Sequence, residues 1–318
     1  MSRNVLPVAL LVSQLWAVPG RSGNPREAAA EPAGGSAFVI VQPGYPGSTR
    51  DAEAFVGSLA AYLAEKMSLT GLKGEYHNDS RAGLDAIALL KPAFGVVSVG
   101  FYLEHREKLG LEPLLESGPS DNFVLVVREG EVKDLKALKG QLVAGGPLHE
   151  LPFLHRVVFA SPVEPDSWDS KPVFSTSRAL RDLVDRKKLA AVLLTGREYR
   201  AFAPLYQTKR LEKVAESDYY PPAFLVAFRP EPGSPLEASR NDTVVQGKKA
   251  LEAQKASEYS VESLRVKAME QVKGVFSDLS RDLKGKKLLE TMGAEKFGEI
   301  QKDWLKELER KYADHEKK

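Results

Sequence analysis

Short apolar runs, separated by polar segments of helical period, set the rhythm of this chain. Phe38–Val41, Ala93–Val99, FVLVVRE from Phe123 and Leu189–Leu194 are too short and too uniformly apolar for surface helices, and they read as buried strands. Between the first two, Phe55, Leu59, Tyr62 and Leu63 recur at helical spacing in Asp51–Met67, behind the turn PGYPGST at Pro43–Thr49. Gly74–His77 then predicts a strand and Arg81–Leu90 a helix, which completes a βαβαβ unit with right-handed parallel crossovers. The pattern restarts at Asn122, with a short helix over Val132–Leu138, a strand over Gln141–Gly146 that enters a glycine turn, and a helix over Arg178–Arg186. Two doubly wound halves are therefore expected, one after the other. Two apolar stripes close the chain: Val261, Leu264, Ala268, Met269, Val272, Val275, Phe276 and Leu279, then Ile300, Trp304, Leu305, Leu308 and Tyr312. They predict helices that dock on the first half rather than pair as a coiled coil.

In open α/β sheets, the loops at the carboxyl ends of the strands gather on one edge and hold ligands there. The polar residues at such turns are Tyr45, Ser48, Thr49, Asn78, Ser80, His149, Ser175, Thr176, Ser177 and Thr195, together with Tyr102 in an expected loop at Gly100–Tyr102. These form the candidate ligand-binding set. Each has a plainer role open to it: Ser48, Thr49, Ser80 and one of Ser175–Ser177 as helix caps, Tyr45 and Tyr102 as packing at loop edges. Arg81 reads as a solvated helix position, and Tyr219–Pro222 as hinge packing.

Several stretches carry a family resemblance. EYHNDSRAGLDAIALLKPAFGVVSVGFYLE (Glu75–Glu104), DLKALKGQLVAGGP (Asp134–Pro147), FSTSRALRDLVDRKKLAAVLLTGREY (Phe174–Tyr199), LEKVAESDYYPPAFLVAF (Leu211–Phe228) and KKLLETMGAEKFGEI (Lys286–Ile300) occur in order. Together they resemble the phosphate/phosphonate-type branch of periplasmic solute-binding proteins. The resemblance implies an α/β fold of two doubly wound lobes joined by a hinge (type 2 periplasmic-binding-protein-like), with C-terminal helices docked on lobe 1. It places the first part of lobe 1 at 37–118, lobe 2 at 119–214, and the return to lobe 1 with the C-terminal helices at 215–318. Leu211–Phe228 would be the returning strand. It further implies a small polar or anionic ligand between the lobes and an ABC-type membrane permease as partner. One departure matters. Where phosphonate-binding members carry a serine/threonine-rich turn, this chain has GGPLHELP, in which Pro147 removes an N–H and His149 and Glu150 offer a different donor and acceptor set.

Composition narrows the function classes. A chain of 318 residues, 43% hydrophobic and 28% charged, is globular and long enough for two domains. The start, MSRNVLPVALLVSQLWAVPGRSG, is expected to be a secretory signal peptide (1–23), followed by a flexible leader (24–36) and a periplasmic, monomeric mature protein with no stable membrane insertion. Removing residues through Gly23 takes away Arg3 and Arg21 and leaves equal numbers of basic and acidic residues, which argues against a nucleic-acid partner. There is no cysteine, hence no disulfide and no thiolate chemistry. His77, His105, His149, His155 and His315 have no metal-ligand spacing, and no G-x-S-x-G, P-loop or G-x-G-x-x-G occurs, so no cofactor, metal or catalytic residue is expected. A periplasmic sensor or accessory subunit, and an enzyme on the same bilobal fold, are the alternatives.

Overall fold

The protein is described by a computed structural model covering residues 37–45, 47–132, 135–159, 165–209, 211–229 and 266–316. The expected signal and leader, and the Val261–Leu264 end of the first stripe, lie outside these residues. The first half runs β1 (Ala37–Val41), α1 (Thr49–Met67), β2 (Lys73–His77), α2 (Ser80–Leu90), β3 (Phe94–Ser98), α3 (Val99–Leu109) and β4 (Leu111–Gly118). The second half runs β5 (Phe123–Arg128), β6 (Leu142–Gly145), a tight mixed helical segment Pro147–Val158 containing α4 (Leu151–Phe153), β7 (Asp169–Pro172), α5 (Thr176–Val184), β8 (Ala191–Thr195), α6 (Gly196–Phe202) and β9 (Leu211–Glu216). The chain then returns through β10 (Ala223–Phe228) and ends with α7 (266–278), α8 (Leu283–Thr291), β11 (Lys296–Gly298) and α9 (Lys302–Glu316).

Two sheets result, ordered β11-β4-β10-β3-β1-β2 and β7-β6-β8-β5-β9. In each, a parallel trio meets one antiparallel strand: β10 against β3 in the first sheet and β5 against β8 in the second. Every residue of β1, β3 and β10 is buried, as expected for strands covered by helices on both faces. Two connections join the lobes, and they are tied by reciprocal bonds: Asp121 N–H to the Tyr220 carbonyl (2.9 Å) and Tyr220 N–H to the Asp121 carbonyl (2.8 Å).

Two differences from the sequence reading bear on the site. Gly100–Tyr102 is the first turn of α3, not a loop. Ser98 caps it in an extended conformation, its Oγ accepting from Phe101 N–H at 3.3 Å, and burial of Phe101, Tyr102 and Leu103 outweighs the cost of a glycine in the turn. Leu211–Phe228 is two strands. Its first part, β9, is an edge strand of the second sheet paired with β5, and only β10 returns to the first. Pro221 and Pro222, which have no N–H to give to a ladder, separate them.

Apolar packing falls into three clusters. One covers the outer face of lobe 1, where Phe276 and Leu289 from α7 and α8 dock on Phe38, Phe94 and Leu225, and one covers the outer face of lobe 2 around Leu180 and Val192. The third is continuous through both lobes, joining Val39, Val97 and Phe224 to Leu125, Phe153 and Leu193. Helix α9 belongs to this shared cluster and touches both lobes. Trp304 meets Phe224 edge-on (6.4 Å between centroids), Glu309 accepts from Tyr102 Oη at 2.6 Å and pairs with Arg106 at 2.7 Å, and Tyr312 lies under the Arg156 guanidinium of lobe 2 at 4.7 Å.

Candidate functional site

The loops after β1 and β6 face each other across the junction of the lobes. Gly44, at φ +78°, approaches so closely that a Cβ there would lie 2.2 Å from the Gly146 carbonyl oxygen and 3.2 Å from the His149 ring. Only glycine serves at such a point, because it tolerates both the left-handed backbone and the contact. Behind it lies a cavity of about 350 Å³, bounded by lobe 1 (Gln42, Tyr45, Ser98), the hinge (Asp121, Asn122, Tyr220), lobe 2 (Glu150, Thr195, Arg197) and the end of α8 (Glu290, Gly293).

Polar groups in this cavity lack partners. Gln42 is only 5% exposed, and its side chain has no hydrogen bond among the described residues. Asn122 donates from Nδ2 to Glu216 at 2.6 Å, but its Oδ1 is buried and unpaired. The Arg197 guanidinium has no carboxylate partner among the described residues, although Asp121 accepts from its backbone N–H (3.0 Å) and pairs with Arg200 (3.1 Å). Arg197 Nη1 and Tyr45 Oη converge over Gly293, where a Cβ would sit 2.7 Å from the first and 2.1 Å from the second. Burial pushes the Tyr45 phenol up, against the pull of the Arg197 charge, so the hydroxyl stays protonated and can donate.

Glu150 enters from the lobe 2 side. Its Oε1 accepts from Phe101 N–H at 2.8 Å and from Ser98 Oγ, both at the start of α3 in lobe 1. Burial raises its carboxyl to about 7, with Glu104 adding to the rise and the two hydrogen bonds opposing it. Glu198, by contrast, is fully engaged: it closes the capping box with Thr195 and accepts from Thr176 Oγ1.

Of the residues picked from sequence, Tyr45 and Thr195 line the cavity. His149 lies outside the lining, its ring tilted against Phe174 (4.4 Å between centroids); burial lowers its imidazole, against Asp79, and Nε2 has no hydrogen-bond partner among the described residues. Asn78 shapes the Tyr45 loop by donating to the carbonyls of Tyr45 (3.2 Å) and Gly47. Ser48 is a capping residue in a capping box with Asp51, and Thr49 opens α1. Ser80 is the first residue of α2, whose cap is Asp79. Ser175 stands at the α5 cap position without a capping bond, its Oγ 3.4 Å from Ser177 Oγ, and Thr176 serves Glu198. Tyr102 faces away, behind α3, bonded to Glu309. Sequence reasoning misses Gln42 and Asn122 as cavity residues and, of Thr195, Arg197 and Glu198 at the end of the Leu189–Leu194 strand, prefers Thr195; all three line the cavity. Strand-end position was the available signal for Gln42 and Arg197, and an unusual Asp-Asn pair before β5 for Asn122.

No protein-family model matches the chain. No curated protein matches it either. Among solved structures it is similar to XAC2383 from Xanthomonas citri bound to ATP, with TM-score 0.59 and 14% identity over 88% of this chain and 98% of that one. It is also similar to PhnD1 from Prochlorococcus marinus in complex with methylphosphonate, with TM-score 0.56 and 14% identity over 87% and 98%. A third is the binding protein component of an ABC phosphonate transporter from Pseudomonas aeruginosa, with TM-score 0.53 and 11% identity over 83% and 82%. At such identities the shared property is the fold: this chain has the two-lobed architecture of type 2 periplasmic solute-binding proteins. Within that class, the neighbours named include two phosphonate-type binding proteins. Among the described residues, no helix is long and apolar enough to cross a membrane, and no group of three or more acidic or histidine side chains could hold a metal ion.

Proposed function

We propose that this chain is an extracytoplasmic solute-binding protein that captures a small polar or anionic molecule between its lobes for an ABC-type importer. The observation that carries the reading is the inter-lobe cavity of about 350 Å³ with the Arg197 guanidinium, the Tyr45 hydroxyl and the Gln42 amide unengaged by any described residue. That is room for a metabolite-sized ligand with one oxyanion group. Arg197 would fork onto the oxyanion and Tyr45 would donate beside it, a charge-assisted arrangement stronger than neutral hydrogen bonds. Donors from both lobes reach one molecule only when the hinge is shut, so ligand favours the closed population.

A sensor or accessory role without transport is the second reading, favoured by the apolar cluster that runs through both lobes and by α9, which spans them. A thermal-shift screen of the mature chain against phosphate, methylphosphonate, sulfonates, carboxylates, amino acids and nucleotides separates the two. A ligand at about 100 times its Kd stabilises the folded state by about 2.7 kcal/mol, well within what a melting curve resolves. A saturable shift with one class, lost in Arg197→Ala, supports solute capture; no shift across the panel favours the accessory role.

A further inference from the structure

We infer that Glu150 is a tethered occupant of the oxyanion seat at the start of α3, which latches the lobes together and restricts free ligand to the Arg197 end of the cavity. The seat has the parts such a site needs: the first turn of an 11-residue helix, the Phe101 N–H and the Ser98 hydroxyl. Gly100 makes the room. A Cβ there would lie 2.6 Å from Glu150 Oε1 and 2.7 Å from its Cδ, so a side chain at this position and the carboxyl exclude each other. A second feature marks this end of the cavity as built for a ligand. The Gln42 residue, 5% exposed and with its amide unpartnered among the described residues, lines the same space.

The carboxyl comes from the other lobe. Glu150 lies on the turn after β6, 52 residues from Ser98, and its bonds to Ser98 and Phe101 cross the junction. It therefore does for closure what a ligand's own oxyanion does elsewhere: it supplies an acceptor that both lobes share. Because it is covalently held, its effective concentration is high and it needs no ligand to act. It also denies the seat to a free dianion. An incoming phosphonate would meet the Glu150 carboxyl where its oxygens must go, with the Glu104 charge close behind. The second oxyanion position, at Arg197 and Tyr45, stays open, so the ligand selected is one with a single anionic group at that end.

The proposal rests on the inter-lobe cavity being the ligand site, but its first test needs no ligand. The chain has no cysteine, so Leu89→Cys on lobe 1 and Leu205→Cys on lobe 2, both exposed, take a donor and an acceptor dye uniquely. In ligand-free protein the expected result is one closed distance distribution, which moves to longer distances in Glu150→Ala and stays closed in Glu150→Gln, whose amide still fills the seat. Gly100→Ala, which evicts the carboxyl without touching it, should open the lobes likewise. Unchanged distributions in both Glu150→Ala and Gly100→Ala overturn the latch, even if a ligand has been found. Methylphosphonate is then titrated into wild type and Glu150→Ala. At least ten-fold tighter binding to Glu150→Ala, with reclosure, supports occupancy of the seat, and equal affinity overturns it.

Discussion

Replacing Glu150 by glutamine should flatten the pH dependence of stability. In the folded protein burial holds this carboxyl at about 7, above the ordinary glutamate value of 4.5, because the charged form is poorly solvated between the lobes. The folded state therefore binds this proton more tightly than the unfolded chain. The stability it contributes is fully present below pH 4.5 and is lost as pH rises through about 7. A rise of this size, at about 1.4 kcal/mol per pH unit, corresponds to roughly 3 kcal/mol over the whole window. The carboxyl still borders the cavity, whose water screens part of the burial, so a loss of about 2 kcal/mol between pH 5 and pH 8 is the working figure. Glu150→Gln keeps the shape and the acceptor oxygen but cannot titrate. Urea unfolding of both proteins at pH 5 and pH 8 isolates the term, since every other titrating group cancels in the double difference. If the lobes part before the chain unfolds, the same proton appears as opening of the wild type between pH 5 and pH 8, read by the dye pair. Parallel unfolding profiles together with a pH-independent lobe distance would refute the reasoning.

Gly44→Ala should block this closure, because it demands φ +78° of a residue with a Cβ and puts that atom 2.2 Å from the Gly146 oxygen; a shift of the ligand-free lobe distance to longer values, with at least ten-fold weaker binding of any cavity ligand, is the expected reading, and an unchanged distance counts against the contact. Arg197→Ala should weaken an anionic cavity ligand by ten-fold or more in calorimetric titration while leaving the melting temperature of the ligand-free protein nearly unchanged, since the guanidinium has no ion-pair partner to lose among the described residues. Phe276→Ala, at a fully buried ring packed against Phe94 and Phe297, should cost about 3–5 kcal/mol in urea unfolding. A loss below 1 kcal/mol would mean that α7 contributes little to lobe 1.

The sequence by itself determined the alternation of buried strand and amphipathic helix, and hence two doubly wound sheets. Runs such as Phe38–Val41 and Leu189–Leu194 are buried on both faces whatever surrounds them, and the Ser48–Asp51 box starts α1 through bonds only three residues apart. Tyr45 and Thr195 were legible as cavity residues for the same local reason: they sit where β1 and β8 end. The start of α3 misled because glycine is a poor helix former, and burial of Phe101–Leu103 by tertiary packing decided the matter. The charged LEKVAE of β9 and the wholly apolar AFLVAF of β10 do mark an edge strand and a buried one, but which sheet each joins depends on the edge left open. The site depended still more on the tertiary structure. Glu150 meets Ser98 across 52 residues and Glu309 meets Tyr102 across 207, so the first contact exists only once the lobes have come together and the second only once the C-terminal helix has docked. A side chain's chemistry is written in the sequence; whether it ends up solvated, paired, or buried and waiting for a partner is set by what the fold brings opposite it.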